Sequence, residues 1–353
     1  MKARSIAAAV LLCLGSALVY AQPTPSPALL VLAKRDSSLA IVDPATLKVV
    51  ARVPAGPDPH EVVASADGRF AYVSNYGFGA YNTISVIDLV TQKALPPIDL
   101  GVLHGPHGLA FAGGKLYFTA EANKVIGRYD PATGKIDWVL GTGQNRTHMI
   151  FVSKDLDRIF TSNVSSATVS IIEKSTGPPA GPAFGPGPPP GPPPNPAGGS
   201  RPPDWNETVV PVGHGSEGFD VSPDGKELWV ANAQDGTISI VDINAKKVAQ
   251  TLDANVKGAN RLKFTPDGKL VFVSSLRSGE VTIFDAASRK EVKRIKAGRG
   301  AAGILMQPDG TRAYIACSPD NNVAVVDLKT LEIVGRVDGG DEPDGLAWAV
   351  RPQ

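Results

Sequence analysis

The chain alternates short apolar runs with polar turns, and residues 214–255 show this pattern most clearly. Apolar runs at 219–221, 227–231, 237–241 and 247–252 are separated by turns that include the pairs Asp224-Gly225 and Asp235-Gly236. Runs of this length, rich in β-branched and aromatic residues and divided by Asp-Gly pairs, predict a four-stranded antiparallel sheet. Such a sheet leaves both of its faces uncovered, so it needs copies of itself on either side.

The same pattern recurs about every 42 residues along the chain. The units cover residues 28–54, 58–100, 106–140, 147–212, 216–252, 259–297 and 301–337, followed by a single strand at 343–350. The first unit lacks its first strand, and the last strand has no second strand behind it. A closed ring in which the C-terminal strand completes the first blade satisfies both facts and removes exposed edges. The sequence therefore predicts an all-β, seven-bladed β-propeller over residues 28–350. A linear solenoid is the alternative, but its incomplete terminal units would lack caps.

Two segments fall outside the repeat. Residues 1–21 combine a basic end, an apolar middle and Val19-Tyr20-Ala21, which is typical of a secretory signal peptide, and a Pro-rich leader follows at 22–27. We therefore expect a periplasmic or secreted protein with no membrane span in the mature chain. Residues 177–203 are about half proline and predict a disordered Pro/Gly-rich insertion between the third and fourth strands of blade four. Such a loop could also dock a proline-binding partner.

Composition narrows the choice of partners. The formal net charge is +1, and removal of residues 1–21 takes away Lys2 and Arg4 to leave −1. This charge gives no reason to expect binding to nucleic acid or to an anionic membrane, and we expect a monomer. The mature chain would keep one cysteine, Cys317, which excludes a disulfide framework and favours a packed thiol.

Some repeated columns have a structural explanation. A carboxylate that ends a strand and precedes a turn bonds its own turn backbone, and we interpret one such column in this way. Its members are Asp43, Asp88, Asp130, Glu173, Asp242, Asp285 and Asp327. A second column is rich in glycine, as expected where the innermost strands crowd. Its glycines are Gly108, Gly218, Gly303 and Gly345.

All five histidines of the chain fall in two further columns at the start of the innermost strands. The first column holds His60, His107, His148, Glu217, Asn260, Ala302 and Asp344. The second, three residues earlier, holds Pro57, His104, Asn145, His214, Lys257, Arg299 and Asp341. In a propeller both columns lie at one mouth of the central channel, where side chains converge from every blade.

This convergence predicts a site at the mouth. Three imidazoles and a carboxylate, His60, His107, His148 and Glu217, suit a transition metal such as Zn, Cu, Fe or Mn better than Ca or Mg. We expect the other polar members to bind a small-molecule ligand or a partner protein; they are His104, His214, Asn260, Arg299, Asp341 and Asp344. Two alternatives stay open: a metal-free pair with histidine as base and Glu217 as acid, and a mouth that is polar only because it is wet.

The repeat of residues 222–232 with 237–242, and of 65–75 with 83–88, resembles the YVTN-type β-propeller repeat. This resemblance covers essentially all of 28–350 and implies a surface or secreted binding protein. Residues 105–136 also resemble the repeats of streptogramin (virginiamycin B) lyases, which implies the alternative of a metal-dependent lyase or lactonase-type hydrolase. That second resemblance covers one blade, and His107 is the only position that we map from it. Propellers host many unrelated activities, so whether the protein is an enzyme stays open.

Overall fold

The computed structural model describes residues 22–175 and 204–352, and these residues form a seven-bladed β-propeller. Each blade is a four-stranded antiparallel sheet, and successive innermost strands contact one another around the whole ring. The predicted fold class is therefore confirmed. The predicted signal peptide at 1–21 and the insertion at 177–203 lie outside the described residues.

The strands follow one another from the channel outward in every blade. Blade one contains β28 (Pro343–Ala349), β1 (Ala28–Ala33), β2 (Ser38–Asp43) and β3 (Lys48–Pro54). Blade two contains β4 (Pro59–Ala64), β5 (Phe70–Asn75), β6 (Thr83–Asp88) and β7 (Lys93–Asp99). Blade three contains β8 (Pro106–Ala112), β9 (Lys115–Ala120), β10 (Val125–Asp130) and β11 (Lys135–Gly141). Blade four contains β12 (Thr147–Val152), β13 (Arg158–Asn163), β14 (Thr168–Lys174) and β15 (Trp205–Pro211).

The remaining three blades repeat this order. Blade five contains β16 (Ser216–Val221), β17 (Glu227–Asn232), β18 (Thr237–Asp242) and β19 (Lys247–Asp253). Blade six contains β20 (Ala259–Phe264), β21 (Leu270–Ser275), β22 (Glu280–Asp285) and β23 (Lys290–Lys296). Blade seven contains β24 (Ala301–Met306), β25 (Arg312–Cys317), β26 (Asn322–Asp327) and β27 (Glu332–Asp338). Short 3-10 helices follow the second strand at Gly77–Gly79, Glu121–Asn123, Val164–Ser166 and Ser318–Asp320. None of the helices in the described ranges has the length and apolar character needed to span a bilayer.

The ring closes as the incomplete terminal units predict. Strand β28 pairs antiparallel with β1, with Leu29 opposite Trp348. Strand β1 is buried along its whole length because its alternate residues face different neighbours. Leu30 packs in one core cluster with Val73 of blade two, whereas Leu29 packs in another with Tyr314 of blade seven. The hydrophobic core is thus a series of layers between adjacent blades.

The glycine column marks close contact between neighbouring innermost strands. A Cβ atom on Gly345 would lie 2.4 Å from the carbonyl oxygen of His60 in blade two. A Cβ on Gly218 would likewise lie 2.4 Å from the carbonyl oxygen of Asn260 in blade six. Both distances are far below van der Waals contact, so these positions exclude larger residues, as the sequence predicts.

The carboxylate column is mostly structural, as expected. Asp43, for example, accepts hydrogen bonds from the backbone N–H of Ala45 at 2.9 Å and from the Thr46 hydroxyl at 2.8 Å. Glu173 differs, because its carboxylate pairs with Lys246 of the next blade at 2.5 Å instead of closing a turn. The thiol of Cys317 is fully buried, and burial raises its pKa, which fits a packed thiol.

Candidate functional site

The seven innermost strands begin at one mouth of the channel, and side chains from six blades line a cavity of about 160 Å³ there. Six members of the first predicted column contribute to its wall: His60, His107, His148, Glu217, Asn260 and Asp344. Blade seven has Ala302 at this position, which is buried but adds no polar group. The structure therefore brings together polar residues that are spread across the sequence.

Three imidazole rings converge on one side of the cavity. The ring centroids of His107 and His148 are 3.7 Å apart with planes inclined by 32°, and those of His60 and His107 are 5.2 Å apart. His107 is 2% exposed and His148 is 1% exposed. Burial, followed by the neighbouring imidazoles, lowers the pKa of His107 well below its ordinary value, so this ring is neutral. Its Nδ1 atom is buried and has no hydrogen-bond partner among the described residues.

His148 lies between two carboxylates. Its Nδ1 contacts Glu121 Oε1, and its Nε2 lies 3.0 Å from Glu217 Oε1, within ion-pair distance but outside hydrogen-bond geometry. Burial alone would lower the pKa of His148, but Glu217 and Glu121 outweigh it and raise the pKa. Burial would likewise raise the pKa of Glu217, but His148 and Arg146 lower it to about 2. The carboxylates beside His148 therefore favour the protonated form of its ring.

Glu121 is a member of this site that the sequence analysis missed. It directly follows β9, and its Oε2 accepts a hydrogen bond of 2.5 Å from the Tyr76 hydroxyl. The corresponding positions after the second strand of the other blades are Lys34, Tyr76, Val164, Ala233, Leu276 and Ser318. Lys34, Tyr76 and Leu276 also line the cavity. The available sequence signal for Glu121 was its charge, because most other residues in this column are apolar or small.

A largely buried ion pair crosses the channel one residue deeper than the histidines. Arg261 of blade six bonds through its guanidinium to the Glu61 carboxylate of blade two, and these blades are not neighbours in the ring. The same guanidinium donates to Asn260 Oδ1 at 3.2 Å. Arg261 and Glu61 stand in the column that is glycine in four other blades. Arg261 also lines the cavity, so this ion pair lies directly beside it.

A second ion pair lies at blade one. Lys34 Nζ is 3.1 Å from Asp344 Oδ2. Asp344 is 5% exposed, and within the described part of the chain its Oδ1 has no hydrogen-bond partner. Burial would raise the pKa of Asp344, but Lys34 and Arg261 lower it, so the carboxylate stays ionised. One carboxylate oxygen is therefore left without a donor beside the cavity.

Four predicted ligand-binding residues lie outside the cavity lining, because they belong to the loops that precede the innermost strands. His104 Nδ1 lies 3.3 Å from the carbonyl oxygen of Ala80. The exposed His214 and Arg299 form ion pairs with nearby aspartates. The backbone carbonyl of Asp341 accepts a hydrogen bond from the backbone N–H of Arg35. The structure does not bring these four side chains together.

The group best placed to hold an ion is His107, Glu121 and His148. One candidate ligand atom from each of them lies within 4.8 Å of the others. Two imidazoles and a carboxylate form a known donor set for catalytic zinc. This group shares His107 and His148 with the predicted set. Glu217 remains adjacent through its contact with His148, and His60 through its ring contact with His107.

Comparisons with known proteins agree on the fold. The Cytochrome D1 heme domain family matches residues 223–346, and no curated protein matches the chain. A candidate 6-phosphogluconolactonase from Bacteroides uniformis has a similar structure, with a TM-score of 0.71, 17% identity, and coverage of 92% of this chain and 99% of that protein. A protein of unknown function from Desulfotomaculum acetoxidans gives 0.71 at 14% identity, covering 93% and 100%. The dihydro-heme d1 dehydrogenase NirN gives 0.60 at 14% identity, covering 93% of this chain and 76% of the dehydrogenase.

These matches raise a heme as a ligand to test against the site. The matched segment 223–346 contains no histidine. The two innermost histidines, His107 and His148, are almost fully buried and their rings lie against one another. The cavity of about 160 Å³ is also smaller than the roughly 300–1,000 Å³ of sites for drug-sized ligands. The residues present do not fit a heme held inside this cavity.

Proposed function

We propose that this propeller is a binding protein whose channel mouth holds a transition-metal ion through His107, Glu121 and His148. The observation that carries this proposal is the buried Nδ1 of His107, which lacks a partner beside another imidazole and a carboxylate. A buried polar atom left unpaired costs about 1–3 kcal/mol, and an unplaced ion is one physical explanation for such an atom. A bound ion would also replace the direct contact between His148 and Glu121.

The surroundings support a site for Zn, Cu, Fe or Mn. Imidazole nitrogens favour these metals over Ca and Mg, which prefer oxygen ligands. The Tyr76 hydroxyl donates a hydrogen bond to Glu121 Oε2, and Glu217 Oε1 contacts His148 Nε2. Partners of this kind orient metal ligands and raise their basicity. A bound ion would polarise an oxygen of water or of a ligand in the cavity above it.

The metal proposal is tested by loading chelated protein with Zn, Co, Cu, Mn, Ca or Mg and measuring bound metal after dialysis. We expect one transition-metal ion per chain and no retained Ca or Mg. His107→Ala and Glu121→Ala should lose the ion. His104→Ala is the matched control, because His104 lies at the same mouth but outside the cavity lining, and it should keep the ion. Equal retention by His107→Ala and the parent protein would falsify the proposal.

We also propose that the protein is of the YVTN type and acts outside the cytoplasm. The repeat of residues 65–75 and 222–232 and the signal-like segment 1–21 support this. The test is expression of the full chain in a bacterial host, followed by fractionation and N-terminal sequencing. We expect the mature product to begin at Gln22 and to be recovered from the periplasm or medium. Recovery of uncleaved protein in the cytoplasm would contradict the proposal.

A metal-free hydrolase is the second candidate, and the position of His148 between two carboxylates favours it. An imidazole held by one carboxylate and facing another is suited to general acid–base transfer. Hydrolysis of a small lactone by chelator-treated protein, lost in Glu217→Gln and kept in Asp341→Asn, would support this function. Activity that disappears with chelator and returns with metal would instead support the metal site.

A further inference from the structure

Among the cations that the described residues place at the cavity, Arg146 has a charge that is only loosely matched. Arg146 approaches Glu121 Oε2 at 3.6 Å and Glu217 Oε1 at 3.9 Å, and both distances exceed hydrogen-bond length. By contrast, Lys34 is 3.1 Å from Asp344, and Arg261 bonds directly to its carboxylate partner. The planar guanidinium of Arg146, which is partly exposed to the cavity, can therefore still bind a carboxylate through two parallel hydrogen bonds.

The backbone position of Arg146 supports a role beyond folding. Arg146 has a φ angle of 56°, in the left-handed region. The corresponding positions two residues before the first-column residues also have positive φ, and four of them are glycine: Gly105, Gly215, Gly258 and Gly300. Glycine adopts this conformation without steric cost, whereas arginine does not. Asp58 and Glu342 are the other non-glycine members of this column, and of the three residues only Arg146 lines the cavity.

An unsatisfied acceptor lies elsewhere in the same cavity wall. Asp344 is ionised and 5% exposed, and its Oδ1 has no hydrogen-bond partner within residues 22–175 and 204–352. Arg146 comes from blade four and Asp344 from blade one, so the two groups lie on different sides of the mouth. A ligand that completes the cavity must therefore present an acceptor to Arg146 and a donor to Asp344.

The rim adds an apolar surface. Phe78 is 84% exposed and Leu276 is 46% exposed, and both line the outer part of the cavity. Phe78 stands between Gly77 and Gly79 and contacts the ring of Tyr76, with centroids 5.4 Å apart. The cavity volume of about 160 Å³ corresponds to about five water molecules. It can take a small polar group, while a larger apolar group would rest on the rim.

We infer that the mouth binds a small carboxylate that also carries a hydroxyl or ammonium donor and an apolar side group. The carboxylate would bind Arg146, the donor would bind Asp344, and the apolar group would pack on Phe78 and Leu276. Hydroxy acids and amino acids both have this chemistry. The inference rests on the proposed binding role of the mouth, but it does not require the metal ion.

The test uses calorimetric titration of the mature protein with four probes of similar shape: phenylalanine, phenyllactate, hydrocinnamate and phenethylamine. The first two carry both the carboxylate and a donor, the third lacks the donor, and the fourth lacks the carboxylate. We expect phenylalanine or phenyllactate to bind at least about tenfold more tightly than both incomplete probes, since each lost charge-assisted hydrogen bond is worth about that factor. The probe of this pair that binds more tightly identifies the donor as ammonium or hydroxyl.

Variants assign the contacts. Arg146→Gln and Asp344→Asn should each weaken the binding of the tighter-binding probe, phenylalanine or phenyllactate, at least about tenfold. Arg299→Gln is the matched control, because Arg299 is exposed at the same mouth and pairs with Asp320 away from the cavity. The variant Phe78→Ala should weaken the binding of phenylalanine more than it weakens the binding of alanine. Circular dichroism confirms that each variant is folded.

Failure of this inference is separable from failure of the metal proposal. Each titration is repeated with chelated and metal-loaded protein, and metal content is measured on the same samples. The inference is overturned if none of the probes binds in either form, if all four bind equally, or if Arg146→Gln binds like the parent. Loss of metal in His107→Ala alongside any of these results would leave the metal site standing and remove only the ligand assignment.

Discussion

The ion pair between Arg261 and Glu61 gives the sharpest stability prediction, because it is largely buried and joins blades that are not neighbours. Removing one partner of a buried ion pair costs about 3–5 kcal/mol, since it leaves the other charge uncompensated. Unfolding about 300 ordered residues has an entropy of roughly 0.6 kcal/mol per kelvin. Glu61→Leu should therefore lower the melting temperature by about 5–8 °C.

Arg261→Met should cost more than Glu61→Leu. Burial opposes the charge of Arg261, but Glu61, Asp344 and Glu217 raise its pKa, so this guanidinium also compensates carboxylates other than its bonded partner. Its loss leaves several buried carboxylates with less compensation. Glu61→Leu, by contrast, leaves Arg261 near two remaining carboxylates.

The double variant Glu61→Leu/Arg261→Met tests the reasoning. Replacing both members of a buried pair with apolar residues is often close to neutral, so we expect the double variant to be more stable than Arg261→Met alone. The coupling energy from denaturant unfolding of the four proteins should be at least about 2 kcal/mol. If the two single costs simply add, the two side chains do not act as a coupled pair, which would refute the reasoning.

Three further outcomes are expected. Gly345→Ala should destabilise the ring by about 2 kcal/mol or more because its Cβ would meet the His60 carbonyl oxygen, whereas Gly141→Ala, with open space around it, should be neutral; denaturant unfolding compares them. Backbone N–H donors lower the pKa of Asp43 and Asp327. The stability that these turns gain is therefore present above the ordinary aspartate pKa and is lost as pH falls through the pKa of the folded state. The double variant Asp43→Asn/Asp327→Asn should flatten the decline in stability below about pH 4, and a decline as steep as that of the parent protein would contradict this. Heme added to the purified protein should give no saturable shift of its Soret band, and a stoichiometric shift would contradict the fit argument.

Most of the fold could be predicted because each blade repeats the same local signals. The strand missing before Leu29 and the spare strand that ends near Trp348 required closure, and the structure pairs these two residues. Asp-Gly pairs such as Asp224-Gly225 marked hairpin turns within the blades. Glu173 is the exception to the turn-forming carboxylate column. The sequence after β14 continues into the insertion, and the Glu173 carboxylate forms an ion pair with Lys246.

The sequence could predict only those site residues that occupy equivalent positions in the aligned repeats. Column position placed His60, His107 and His148 at one mouth, because every innermost strand starts there. Glu121 lies in a different column, and its approach depends on the path of the short helix after β9. The Arg261–Glu61 contact joins residues separated by 200 positions across the channel. Such contacts depend on side-chain length and direction, which repeat spacing does not encode.

The pairing of β28 with β1 also determines how the molecule would respond to mechanical tension. Within the other blades the peptide chain links each strand to the next, but here the strand pairing and non-covalent side-chain contacts such as Lys34–Asp344 hold the circle shut. Ala28 lies opposite Ala349, so the two chain directions leave this antiparallel pair at the same end. A pull on both ends would therefore unzip the strands one residue pair at a time instead of shearing them together. Once β28 peeled away in this manner, Asp344 would leave the mouth with it.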